Sequence, residues 1–139
     1  IQRLIFKAVF SNSRQLITMS HILDRIPDVD IDDHGTFKYI LIKVLHERED
    51  IYKHIVRGHA RHEKHFDIYC EVGLRVDRIP DLRTSCQGGG RMVHDPDKKT
   101  ITVYGFSIDL GRADHQLTIS ILKKKYPDYT ITEDRLLYY

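Results

Sequence analysis

"IVRGHARHEKHFDIYCEVGLRV", residues 55–76, changes period part-way along, and that change decides the class of fold. Up to Gly58 the segment reads as the end of a short strand, "HIVRG". From residue 62 onward Phe66, Tyr69, Cys70, Gly73 and Val76 recur at three- and four-residue steps, which predicts a helix with one apolar stripe. A strand feeding a helix is the unit around which the flanking segments are arranged.

Toward the N-terminus, "DVDID" alternates apolar and acidic residues, Gly35 marks a turn, and "TFKYILIKVL" is rich in β-formers. Two strands joined by that turn are expected. Strand side chains alternate, so Phe37, Tyr39, Leu41 and Lys43 share one face while Lys38, Ile40, Ile42 and Val44 share the other. Lys38 therefore stands at the end of an otherwise apolar face. "HEREDIYK" reads as a polar loop.

Toward the C-terminus, Pro80 and the polar run through Ser85 close the helix. "CQGGGRMVHDPDKKTITVYGFS" then carries a hairpin signal, with Asp95-Pro96-Asp97 as the turn between alternating flanks. A second helix is predicted from about Ala113 to Tyr126, with Ala113, Leu117, Ile121 and Leu122 inward and Pro127 behind its end. Lys123, Lys124 and Lys125 fall in its last turn, where the helix dipole favours positive charge. "YTITED" supplies a last strand. Strands, helix, hairpin, helix and strand make an α+β domain rather than a regularly wound α/β sheet.

The chain has 139 residues, enough for one core that needs neither disulfide nor metal to be stable. Residues 26–135 form the expected domain, preceded by a lead-in, 1–25. Twenty-two Lys and Arg against twenty Asp and Glu give a formal charge of +2, too balanced for a protein that neutralises many phosphates, so no nucleic-acid partner is expected. Cys70 and Cys86 lack CxxC spacing; they read as small buried hydrophobes in a reducing, cytoplasmic setting. The first 22 residues hold Arg3, Lys7 and Arg14 and no acid, a composition shared by flexible lead-ins and by mitochondrial targeting segments. The apolar run Leu4–Phe10 is broken by Lys7 and far too short to span a membrane, so no membrane partner is expected either.

His59, His62 and His65 crowd one short stretch. Histidines three apart on a helix face one way, so His62 and His65 could share a ligand. The zincin pattern needs H-E-x-x-H, however, and "HEKH" is one residue short, with His94 or His115 the only loose third ligands. If the helix instead starts near His65, its free N–H groups form an anion site, and the positive helix end keeps the imidazole neutral. A neutral imidazole beside a bound anion is a poised base or nucleophile. Lys38, Arg57 and Arg91 each fall beside a strand end or glycine-rich bend, and Ser107 closes the hairpin with a hydroxyl donor. Gly88-Gly89-Gly90 permits close backbone approach or a bulge, but it lacks the Lys-Ser/Thr of a P-loop and no helix follows.

"IPDVDIDDHGTFKYILIKV", "IVRG", "HFDIY", "GGGRMVHDPDKKTITVYGFS", "GRADH" and "KYPDYTIT" resemble, in order, the phosphohistidine phosphatases and their insect relatives, the sex-regulated janus and ocnus proteins. The resemblance covers residues 26 to 132 or so, and implies a mixed sheet of about six strands flanked by two α-helices. It implies a metal-independent hydrolase, with no cofactor, that acts on phosphohistidine or phospholysine in a protein substrate, and a link to somatic sex differentiation. It implies His65 as catalytic proton acceptor, Lys38 as phosphate ligand, and Ser107, Ile108 and Asp109 as a phosphate-binding loop. Arg57, Arg91 and His115 match further positions. A monomer is the expectation. Lys64, Phe66, Phe106 and Asp109 depart from the family's usual residues, which leaves open a phosphate-binding regulator with little turnover.

Overall fold

A computed structural model describes residues 22–137; the lead-in and targeting readings of residues 1–21 lie outside them. The fold is α+β, an open sheet of six strands: β1 (Val29–Ile31), β2 (Gly35–His46), β3 (Ile51–Gly58), β4 (Leu82–Asp95), β5 (Thr100–Tyr104) and β6 (Thr130–Glu133). Two helices, α1 (His65–Val76) and α2 (His115–Lys125), flank it, and residues 22–24 add a helical turn. The strand order is β1-β3-β2-β4-β5-β6, antiparallel through the middle with a parallel pair at each edge.

The alternation in β2 sets the layers. Phe37, Tyr39 and Leu41 belong to one core with Ile119, Ile121 and Leu122 of α2. Ile40, Ile42 and Val44 belong to the other with Ile68 and Val76 of α1 and with Leu23 and Ile26 ahead of β1. Each fully buried side chain of this kind contributes roughly 1.5–3 kcal/mol. Lys38 has the parity of Ile40 and so emerges on the α1 side. The connection from β3 to β4 must cross β2, and α1 makes that crossing, which brings its first residue over β4.

One pairing is left open by the sequence, and three expectations need correction. β1 and β2 are both strands but not neighbours: β1 pairs in parallel with β3, Asp30 opposite Arg57, because β3 returns antiparallel to β2 and takes the place between them. "HEREDIYK" is not all loop, since β2 runs through His46 and β3 starts at Ile51. The α1 stripe is set one residue off in its first half only: His65 and Ile68 are buried where the period predicts Phe66 and Tyr69, Phe66 being 51% exposed, while Gly73 and Val76 are buried as predicted. With apolar residues around most of the helix, the polar His65 chooses which side faces in. Cys70 is exposed and Cys86 half-buried, both as free thiols, so Cys70 is no core residue. Of the described residues, no helix is long and apolar enough to cross a membrane.

Candidate functional site

A cleft of about 360 Å³ opens where α1 begins. Its floor holds His65 from α1, Lys38 from β2 and Arg91 from β4. Glu63 and Lys64 wall it on one side, and residues 106–109 of the loop after β5 on the other. Lys38 and Arg91 are register partners on neighbouring strands. Two cations directly opposed destabilise a sheet unless an anion lies between them. Lys38 Nζ donates to the Glu63 carbonyl at 2.5 Å, and among the described residues Arg91 forms no ion pair.

His65 is the first residue of α1, and Lys64 before it makes no side-chain cap. The His65 and Phe66 N–H groups therefore keep their capacity to bind an anion, while that of Asp67 donates to the Lys64 carbonyl at 3.1 Å. The residue is 8% exposed, and its ring Nε2 lies 2.8 Å from the Gly90 carbonyl. A carbonyl only accepts, so Nε2 carries the proton and Nδ1 is left with a lone pair when the imidazole is neutral. Burial holds the His65 pKa below its ordinary 6.5; the Gly90 hydrogen bond pulls it up, nearby Lys38 and Arg91 push it further down, and Asp109 opposes them.

The triple glycine makes this placement feasible. A Cβ on Gly89 would lie 2.7 Å from His65 Cδ2 and 2.8 Å from the Tyr39 carbonyl, so only a bare backbone lets the ring lie against β4. On the opposite face, a Cβ on Gly90 would lie 2.6 Å from His115 Cε1. The β2–β4 register also shifts between Ile40 and Ile42 beside this run, so the glycines serve both a bulge and a close approach.

The loop after β5 is closed on itself. Ser107 N–H donates to the Gly111 carbonyl at 3.0 Å, and Gly111 N–H returns a bond at 2.9 Å. Ser107 Oγ, buried, accepts from Leu110 N–H at 3.1 Å, so its own proton remains available to a ligand. No described residue accepts from the N–H of Ile108 or Asp109. Ile108 is 91% exposed at the tip.

Sequence reasoning put Lys38, His65, Arg91, Ser107, Ile108 and Asp109 in one site, and these six line one cleft. Arg57 does not join them. Its guanidinium is buried in a second cavity on the α1 side, donating to the Val56 and Pro27 carbonyls. It shares the α1 face with Lys38, but it lies opposite Ile40 rather than Lys38, and this offset carries it past the cleft. His115 lies behind the sheet, its Nε2–H on the Gly105 carbonyl at 2.8 Å and its Nδ1 2.5 Å from the Tyr39 hydroxyl. It joins α2 to the sheet and does not touch the cleft. Phe66, at the rim, is not among the lining residues. Lys64 and Phe106, two of the departures from the family's usual residues, do line the cleft, and so does Glu63, for which adjacency to Lys64 is the one signal the sequence offers.

The histidine cluster separates. His59 meets Asp32 at 3.0 Å and His62 meets Glu71 at 2.7 Å, while His65 turns to Gly90. Glu71 also binds Arg61 through both oxygens, pinning the 59–64 loop to α1. Among the described residues no group of three or more His, Cys, Asp or Glu is arranged to hold a metal ion.

The profile of the Janus/Ocnus family matches residues 23–130. The chain belongs to that family. Sex-regulated protein janus-A of Drosophila simulans is 46% identical over 106 residues, 76% of this chain and 77% of that protein. The janus-A protein of Drosophila yakuba is 42% identical over 125 residues, covering 88% and 91%. The 14 kDa phosphohistidine phosphatase of Sus scrofa is 42% identical over 117 residues, 79% of this chain and 90% of that one. The family match starts at Leu23, the first of the described residues that is buried in the α1-side core.

Proposed function

We propose that the chain is a protein phosphohistidine phosphatase, acting on phospholysine as well, that hydrolyses the P–N bond without a metal. One observation carries the reading: His65, its Nε2–H committed to Gly90, offers an unprotonated Nδ1 in a cleft that also presents Lys38, Arg91 and free backbone amides. The similarity to a phosphohistidine phosphatase supports it. The phosphoryl oxygens would rest on the His65 and Phe66 amides, Lys38, Arg91 and the Ser107–Asp109 loop. A water attacks phosphorus in line; Nδ1 takes its proton, and the leaving nitrogen of the substrate, imidazole or lysine amine, takes one from solvent. The P–N bond breaks as the P–O bond forms, and inorganic phosphate is released. Because a phosphoramidate is already labile, orientation and charge stabilisation suffice.

The experiment is phosphate release from a phosphohistidine protein in the presence of chelator. Lys38→Ala should lower kcat/KM about ten- to a hundred-fold, the worth of one hydrogen bond to a charged group. Unchanged kinetics in that variant would remove Lys38 from the site. Attack by Nδ1 itself is the other route open to this geometry, and a phosphorylated His65 trapped by rapid quench would establish it.

The pH profile follows from the lowered His65 pKa. Neutral imidazole is the active form, so kcat/KM should hold down to about pH 6.5 and fall on an acid limb whose midpoint lies below that value. Stability shares the sign: the unfolded chain binds the proton more readily, so stability is full above 6.5 and drops as pH falls through the folded value. An NMR titration of the His65 ring checks both; a midpoint above 6.5 contradicts them.

A second reading, a phosphate-binding regulator of the kind the sex-regulated relatives suggest, is favoured by Asp109. Its carboxylate lines the cleft, where it opposes a phosphate dianion. Tight binding of phosphohistidine peptide without turnover, converted to turnover by Asp109→Ala, would select it.

A further inference from the structure

The second cavity, about 320 Å³, lies between α1, β3 and the residues ahead of β1, and shares no lining residue with the cleft. Its apolar wall is Ile26, Pro27, Val72, Val76 and Ile79. Four arginines reach it, Arg25, Arg57, Arg61 and Arg75, against two carboxylates, Asp30 and Glu71. Both acids already face groups of the same wall, which leaves Arg25 and Arg57 as the arginines with no described carboxylate within ion-pair distance. Glu71 binds Arg61, His62 and Arg75, and Asp30 lies 3.7 Å from His59.

Arg57 is the anomaly. It is 6% exposed, and its two hydrogen bonds, 2.9 Å to the Val56 carbonyl and 2.7 Å to that of Pro27, use two of five N–H donors. No described carboxylate comes within ion-pair distance, although Asp30 is its register partner on β1. The first 23 residues contain no Asp or Glu that could supply one. A guanidinium does not lose its proton to escape burial, and Asp30 and Asp28 offset the burial of Arg57 only from beyond ion-pair distance. An oxyanion from outside would relieve it, and the aliphatic wall beside it would take a short hydrocarbon body. Cavities of this size accept small molecules.

We propose that this cavity is a second ligand site, independent of the cleft chemistry, for an oxyanion carried on a short aliphatic body and held by the Arg57 fork. Sodium octanoate, octyl phosphate and octanol serve as probes of the intact chain by NMR, with inorganic phosphate saturating the cleft. Octanoate or octyl phosphate should bind saturably and shift Val72, Val76 and Ile79, with octanol at least ten-fold weaker. Whichever anion binds tighter identifies the headgroup. Arg57→Met should weaken binding at least ten-fold. Should that variant fail to fold, Asp30→Asn decides, because removing the internal competitor at an exposed position should tighten binding several-fold. Equal binding of octanol, shifts confined to His65, Phe66 and Ile108, or no tightening in Asp30→Asn would overturn the proposal.

Discussion

His65→Ala is expected to cut phosphohistidine hydrolysis by about two to four orders of magnitude, the usual contribution of a positioned base. The ring is the one group in the cleft that combines a fixed tautomer with a lone pair, since Nε2 is held on Gly90. Removing it also leaves the Gly90 carbonyl without its donor, at about 1–3 kcal/mol. Against an ordinary domain stability of about 5–15 kcal/mol, the chain stays folded. Phosphate release and a thermal melt on the same sample separate the two effects. A folded variant that still turns over at the parent rate would remove His65 from the chemistry.

Gly90→Ala is expected to cost about 3 kcal/mol of stability, at the upper end for overpacking. Its Cβ would sit 2.5 Å from the Tyr104 carbonyl, 2.6 Å from His115 Cε1 and 2.9 Å from Tyr39 Cε1. The carbonyl belongs to the adjoining strand and the rings are buried between β2 and α2, so nothing can move cheaply. In urea the midpoint should drop by about 1–3 M at ordinary m-values. Because the same residue accepts the His65 proton, hydrolysis should fall with it. Unchanged melting would mean that the sheet yields where it is drawn tightest. Gly89→Ala presses on His65 Cδ2 directly and should lose activity out of proportion to stability.

The cleft was readable to the extent that its parts are local. A change of period puts the start of α1 within a few residues of His65, and Lys38 on the α1 side follows from counting by twos along β2. Ser107 is marked by its hydroxyl at the end of the hairpin, and the family resemblance added Ile108 and Asp109, which no periodicity could single out. What stayed hidden was neighbourhood. Arg57 and Lys38 are both cations on the α1 face, yet one lines the cleft and the other is buried in the second cavity. The offset between β3 and β2 decides which, and register is a property of the pair of strands.

The amino-acid order by itself determined which side chains share a face, where the main chain turns, and that this is an α+β domain. Those are short-range consequences of steric alternation, helical pitch and turn chemistry. Only the tertiary structure decided that β3 separates β1 from β2, that His65 rather than Phe66 faces inward, and that three consecutive glycines carry a histidine on either side of the sheet. Each of those outcomes depends on contacts between residues far apart in the chain, where burial and excluded volume choose among arrangements that local preferences leave equal.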